Sequence, residues 1–122
     1  DGDDVTLISN GTVLWRALVA AEQLEDEGIS ARVISIPTVK PLDTEAVVQA
    51  ARETRGIVTA EEATVAGALG GAVAETVSQN HPVKIKILGA PEFAPTGSAG
   101  FLLDRYGMSP EGIAEAARAL IT

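Results

Sequence analysis

The strongest candidates for chemistry in this 122-residue sequence are two adjacent glutamates and the glycine-rich segment that follows them. Glu61 and Glu62 come directly after the apolar run 57–60, which is typical of a buried strand. Successive side chains of a strand point to opposite faces, so these two carboxylates would not converge on one reacting atom as an acid–base pair must. We predict solvated or capping carboxylates; the alternative is that one of them is a hydrogen-bonding or interface residue.

The glycine-rich segment places Gly67, Gly70 and Gly71 at the predicted start of a helix. Its spacing matches neither the dinucleotide-binding fingerprint nor the phosphate-binding P-loop, which argues against a nucleotide site. Backbone N–H groups at the helix start could bind an anion, or the glycines could let the helix approach the sheet or a partner closely. The sequence therefore gives one candidate interface or anion site, formed by Glu61, Glu62, Gly67, Gly70 and Gly71.

Other residue types that support catalysis are scarce or badly placed. The chain has no cysteine, which excludes disulfides, thiol nucleophiles and cysteine-ligated metal centres. His81 is the one histidine and lies in a predicted turn at the amino-terminal end of the fourth strand, so it supports no serine or threonine nucleophile. A metal would need Asp1, Asp3 and Asp4, an acidic start that is more often solvated. We assign no catalytic, cofactor-binding or metal-ligating residue.

Composition and charge limit the partners of this chain. Its length suits a single domain over residues 1–122. The formal net charge of −8 would repel nucleic acid and anionic membrane surfaces. No apolar run approaches the ~20 residues that a membrane helix requires. We expect a cytoplasmic protein without nucleic-acid or membrane partners.

Strand-like and helical patterns alternate along the chain. Strands are predicted at 5–9, 31–36, 57–60 and 83–87, and helices at 13–27, 44–56, around 69–77 and from Ser109-Pro110 onward. In the first helix one apolar face is formed by Leu14, Ala17, Leu18, Ala21 and Leu24. Right-handed crossovers then predict an α/β fold, a three-layer α/β/α arrangement with a mainly parallel sheet of four strands. Sites on such sheets lie beyond the carboxyl ends of the strands, where Glu61 lies.

The order of these segments resembles the C-terminal domain of the transketolase family. The matching segments are, in chain order, 4–11 (DVTLISNG), 20–24 (AAEQL), 28–33 (GISARV), 40–43 (KPLD), 57–62 (IVTAEE) and 67–75 (GALGGAVAE). The tail is similar to that of transketolases and deoxyxylulose-phosphate synthases at Gly89, Phe93, Gly97-Ser98, Leu102-Leu103 and Tyr106-Gly107. It is less similar to the β subunit of 2-oxoacid dehydrogenases. The resemblance covers essentially the whole chain and depends on order and spacing, because each motif is weak alone.

The resemblance implies a thiamine-diphosphate enzyme that transfers two-carbon ketol units between sugar phosphates. In that family the cofactor and Mg²⁺ lie between a diphosphate-binding and a pyrimidine-binding domain, both upstream. The C-terminal domain mainly packs and helps to form the dimer, so no catalytic or cofactor-binding residue maps onto this chain. We expect a part of a longer polypeptide whose partners are the upstream domains or subunit and a second copy.

The family's sheet also has a fifth strand, antiparallel and first in the domain, and this chain is expected to begin after it. The resemblance thus predicts four parallel strands in the order 2-1-3-4, with the edge of the second strand exposed or covered by a neighbouring molecule. Other interpretations stay open. They are a free-standing anion-binding or regulatory module, and the C-terminal domain of a deoxyxylulose-phosphate synthase or of a 2-oxoacid dehydrogenase β subunit.

Overall fold

Strands and helices alternate through the described part of the chain. The computed structural model describes residues 4–9, 13–36, 43–61, 68–89 and 108–121. The elements are β1 (Val5–Ser9), α1 (Leu14–Asp26), β2 (Ala31–Ser35), α2 (Thr44–Glu53), β3 (Gly56–Glu61), α3 (Ala68–Asn80), β4 (Lys84–Gly89) and α4 (Pro110–Ile121). This alternation confirms the predicted α/β class.

The four strands form one parallel sheet in the order β2-β1-β3-β4. The central strand β1 pairs with β2 from Val5 opposite Ala31, and with β3 from Thr6 opposite Ile57. The predicted order and direction of the strands are therefore confirmed. Within the described ranges no fifth strand joins the sheet, so β2 and β4 are its edges there.

Two hydrophobic cores lie on opposite faces of the sheet, which gives the predicted three layers. The core beneath α1 and α4 includes Leu7, Leu24, Val58, Met108 and Ile113. The core beneath α2 and α3 includes Ile8, Val47, Ile57, Leu69 and Val73. Alternate residues of β1 enter opposite cores, and the whole strand is buried, as expected for a central strand covered by helices on both faces.

Residues with local conformational preferences mark several helix ends. At the start of α2, the side chain of Asp43 accepts a hydrogen bond from the Ala46 N–H at 3.2 Å. At the start of α4, Oγ of Ser109 accepts one from the Gly112 N–H at 3.0 Å. Gly28, which follows α1, has a φ of +84°, the left-handed conformation predicted for it. These helix boundaries therefore agree with the sequence signals.

The buried face of α1 differs from the predicted one. Leu18, which the pattern places on the apolar face, is 48% exposed, whereas Ala20 and Leu24 are buried. Arg16 is also buried, and its Nη1 donates a hydrogen bond to the Met108 carbonyl oxygen at 3.3 Å. The prediction for Leu18 is wrong because packing against the start of α4 sets the rotation of the helix.

Candidate functional site

The candidate segment leaves the sheet at the carboxyl end of β3, an interior strand. Glu61 is the last residue of that strand, and Gly70 and Gly71 lie in the first turn of α3. Glu62 and Gly67 lie outside the described residues. The fold therefore brings Glu61 and the start of α3 together at the edge where α/β proteins hold their ligands.

Glu61 caps helix α3. Its side chain is buried, with 2% exposure, and its Oε1 accepts a hydrogen bond from the Leu69 N–H at 2.8 Å. Leu69 is the second residue of α3, so this bond satisfies one of the N–H groups that a first helical turn leaves unpaired. For Glu61 the structure supports the capping role. An anion at this helix start would have to compete with the Glu61 carboxyl for that N–H group.

The two described glycines of α3 have different surroundings. A Cβ on Gly70 would lie 2.5 Å from Cγ2 of Ile87 and 2.8 Å from Oγ1 of Thr59. Gly70 thus lets the helix approach the sheet closely, which is one of the two predicted roles. Gly71 is exposed, and nothing lies within 4 Å of its Cβ position. The interface and anion-site hypotheses for this segment stay predictions.

Neighbouring hydroxyl groups at the carboxyl end of the sheet are buried. Oγ of Ser9, the last residue of β1, donates a hydrogen bond to the Ala60 carbonyl oxygen at 2.8 Å. Oγ1 of Thr59 has no hydrogen-bond partner among the described residues. Both side chains are fully buried, so neither hydroxyl lies on an accessible surface.

The remaining residues considered from the sequence have structural or surface positions. Asp4 is not merely solvated, because its Oδ2 accepts a hydrogen bond from the Ser30 N–H at 2.7 Å and its Oδ1 pairs with Arg55 at 3.1 Å. Asp1 and Asp3 lie outside the described residues. His81 is exposed just beyond the end of α3. The described ranges contain neither a group of three or more potential metal ligands nor a helix long and apolar enough to cross a membrane.

Perturbed ionisation occurs at the opposite, amino-terminal edge of the sheet. Hydrogen bonds from Gln49 and Arg32 hold the pKa of Glu53 below its ordinary value. The hydrogen-bonded carboxyl of Glu27 raises the pKa of Arg118, whose Nε lies 2.6 Å from Glu27 Oε1. The carboxylates of both pairs are exposed and each binds an arginine of the domain, so the shifts do not identify a catalytic group among the described residues.

Comparisons with known proteins identify the domain. The family model for the transketolase C-terminal domain matches residues 1–113. The chain is 41% identical to a 6-deoxy-6-sulfo-D-fructose transketolase subunit of Clostridium sp., over 96% of this chain and 37% of that subunit. It is also 41% identical to an apulose-4-phosphate transketolase subunit of Phocaeicola vulgatus, over 96% and 38%. A 1-deoxy-D-xylulose-5-phosphate synthase of Symbiobacterium thermophilum is 43% identical over 99% of this chain and 19% of its own length.

Solved structures agree with this assignment. A split-gene transketolase, described as an inactive β4 tetramer, superposes with a TM-score of 0.91 at 38% identity, over 99% of this chain and 40% of that one. A transketolase of Campylobacter jejuni shares the fold, with a TM-score of 0.65 at 18% identity, over 98% and 17%. The chain thus spans two fifths or less of the lengths of these relatives. On the family match and these identities, the chain belongs to the transketolase C-terminal domain family.

Proposed function

We propose that this chain is the non-catalytic, structural and dimer-forming C-terminal domain of a thiamine-diphosphate enzyme that transfers two-carbon ketol units between sugar phosphates. The observation that carries the proposal is the capping bond of Glu61. This buried carboxyl at the carboxyl edge of the sheet has its Oε1 2.8 Å from the Leu69 N–H within the domain, which supports a structural role. Thiamine diphosphate and Mg²⁺ then belong to the other domains of the enzyme.

The lengths of the relatives support the placement of the cofactor sites outside this domain. Two relatives are named as transketolase subunits, and the matched region accounts for only 37% and 38% of their lengths. We therefore assign cofactor binding to pyrimidine-binding and diphosphate-binding domains, located upstream or on another subunit, in the cytoplasm. The tetramer of the split-gene transketolase, which is 38% identical, supports contacts between copies of this chain. These contacts would exist in addition to those with the cofactor-binding domains. Gly71, which is exposed, is the described member of the candidate interface that a second copy could reach.

Reconstitution tests the proposal. The cofactor-binding domains of the enzyme would be produced without this domain, and ketol transfer would be measured with and without added chain. We expect no activity from the chain alone and recovery of activity when the parts are combined, because the domain acts through assembly. Activity of the upstream domains that does not depend on the added chain would refute a structural role.

A second candidate stays within the same family. The 43% identity to a 1-deoxy-D-xylulose-5-phosphate synthase, over 99% of the chain, favours a parent enzyme of that kind over an unrelated one. Assaying the reconstituted enzyme for 1-deoxy-D-xylulose 5-phosphate formation and for ketol transfer distinguishes a synthase from a transketolase.

Titration of the isolated chain with diphosphate, sugar phosphates and sulfate tests the free-standing anion-binding module. Saturable micromolar binding would favour that module, whereas the Glu61 cap predicts none.

A further inference from the structure

The solvent face of α1 carries two large apolar side chains. Trp15, the only tryptophan of the chain, is 55% exposed, and Leu18 is 48% exposed. Residues three apart on a helix are neighbours on its surface, so the two side chains form one apolar patch, here called the α1 patch. The other large exposed hydrophobic residue of the described ranges, Ile87, lies on β4 beside Gly70 of α3, on the opposite face of the sheet.

A buried arginine supports the tryptophan of the α1 patch. The guanidinium carbon of Arg16 lies 5.0 Å from the centre of the Trp15 ring. Arg16 is itself held by the hydrogen bond to the Met108 carbonyl oxygen. Cations attract aromatic faces at this distance, so the Trp15 ring rests against a fixed group. A side chain that is already ordered loses little conformational entropy on binding, and tryptophan is enriched at the centres of protein interfaces.

The charged residues of α1 interact unfavourably with the dipole of their own helix. Its N-cap residue, Val13, makes no side-chain capping bond, and its first turn has no acidic residue. Its last turn has no basic residue, while Glu22 and Glu25 are exposed on the same face as Trp15. Negative charge is favourable at the amino end of a helix and unfavourable at the carboxyl end. An antiparallel helix with the same charge pattern would compensate both ends.

We propose that a second copy of this chain covers the α1 patch, with the two α1 helices antiparallel about a two-fold axis near Leu18. The inference rests on the proposed dimer-forming function and places its surface on α1, on the opposite face of the sheet from Gly71 of the glycine-rich segment. With a rise of about 1.5 Å per residue, Glu22 lies about 6 Å from the axis, opposite the first residue of the partner's α1. Trp15 of each copy then packs between Leu18 and Glu22 of the other. Apolar contact and charge complementarity therefore favour the same arrangement.

The size of the α1 patch sets the expected strength of the dimer. A stable protein interface buries about 800 Å² on each partner. Two half-exposed side chains supply only the centre of such an interface, and the surrounding area is polar and acidic. We therefore expect a dimer that dissociates at a concentration of roughly micromolar or above.

Sedimentation of the isolated chain at concentrations up to about 1 mM, combined with tryptophan fluorescence, tests the inference. The wild type should form a dimer, and the emission of Trp15 should shift to shorter wavelength with concentration as the ring leaves water. Leu18→Gln should raise the dimer dissociation constant at least about tenfold and suppress the shift. Ile87→Gln, which changes the exposed apolar residue on the opposite face, should leave both unchanged. Circular dichroism would verify that each variant is folded.

The possible results distinguish failure of the proposed α1 surface from failure of the proposed self-association. A dimer lost in Leu18→Gln and kept in Ile87→Gln supports the α1 surface. A dimer that Leu18→Gln leaves intact overturns the surface but not the dimer-forming function. Gly71→Gln, which has open space for its side chain, then tests whether the glycine segment forms the interface instead. A wild-type monomer at every concentration overturns both the α1 surface and self-association through this domain.

Discussion

Replacing Gly70 with alanine would introduce a Cβ where helix α3 lies against the sheet. That atom would lie 2.5 Å from Cγ2 of Ile87, 2.9 Å from its Cγ1 and 2.8 Å from Oγ1 of Thr59. Carbon atoms attract best at about 3.5–4.0 Å, so these contacts are strongly repulsive. Ile87 and Thr59 are β-branched, and the colliding atoms are bonded directly to Cβ, which restricts their rotation. The helix or a strand must therefore move.

Two opposing effects determine the change in the free energy of unfolding. Alanine favours the helix over glycine by about 1 kcal/mol, whereas overpacking a close-packed site costs about 1 to 3 kcal/mol. Gly70→Ala should therefore lower the free energy of unfolding by up to about 2 kcal/mol. The matched control is Gly71→Ala, one residue later in the same helix and with nothing within 4 Å of its Cβ position. Gly71→Ala has only the helix-favouring effect of alanine, so it should raise the free energy of unfolding by up to about 1 kcal/mol.

Urea unfolding followed by circular dichroism measures both free energies. For a domain of this size, 1 kcal/mol corresponds to roughly 3–5 °C in the melting temperature. Adding Ile87→Ala to Gly70→Ala should recover part of the loss, because it removes both γ carbons of Ile87. Equal stabilisation of the domain by Gly70→Ala and Gly71→Ala would refute the close packing of α3 against Ile87 of β4.

Three further substitutions test single contacts. Glu61→Ala should lower the free energy of unfolding in urea by about 1 to 3 kcal/mol, because it leaves a buried N–H of α3 unpaired. Glu61→Gln keeps an acceptor oxygen, so it should lower the free energy of unfolding less than Glu61→Ala does. Equal decreases for the two variants would contradict the capping role. Thr59→Val should raise the melting temperature, since it replaces a buried hydroxyl that lacks a partner among the described residues, and a decrease would contradict that assignment. Glu53→Gln should destabilise the domain at pH 7 and progressively less below pH 4.5, because the hydrogen bonds from Gln49 and Arg32 lower the native pKa of Glu53 below that value. A loss of stability that is the same at pH 3 would be evidence against this linkage.

The elements could be predicted from the sequence because their signals are local. Gly28 ends α1 and Asp43 begins α2 through the conformational and hydrogen-bonding preferences of single residues. The apolar runs of β1 and β3 indicate strands buried on both faces. The order of strands is not local, since β1 pairs with residues more than 20 and 50 positions later. It could be predicted only through the resemblance to the transketolase family.

Side-chain roles could not be predicted where they depend on distant segments. Arg16 is buried because it meets the carbonyl of Met108, 92 positions later, and no spacing rule indicates that bond. The sequence pattern places Leu18 inside because the leucines and alanines of α1 together form an apolar face too broad to fix the rotation of the helix. The acidic neighbours of Asp4 predict a solvated side chain, yet its partners Ser30 and Arg55 lie 26 and 51 positions away.

Two buried polar side chains at the carboxyl edge of the sheet are held by bonds within the domain, which limits what they can contribute to a reaction. At the carboxyl edge, Glu61 and Ser9 direct their side chains to backbone groups of the domain itself. Turning either side chain toward a substrate would leave a buried partner unpaired, at a cost of about 1–3 kcal/mol. Neither of these two side chains can therefore contact a substrate without that cost, and within the proposed function Glu61 would affect the reaction through assembly of the domains. In a reconstituted enzyme, Glu61→Gln should change the rate only as far as it changes assembly, and a fully assembled variant with a lower kcat would contradict this view.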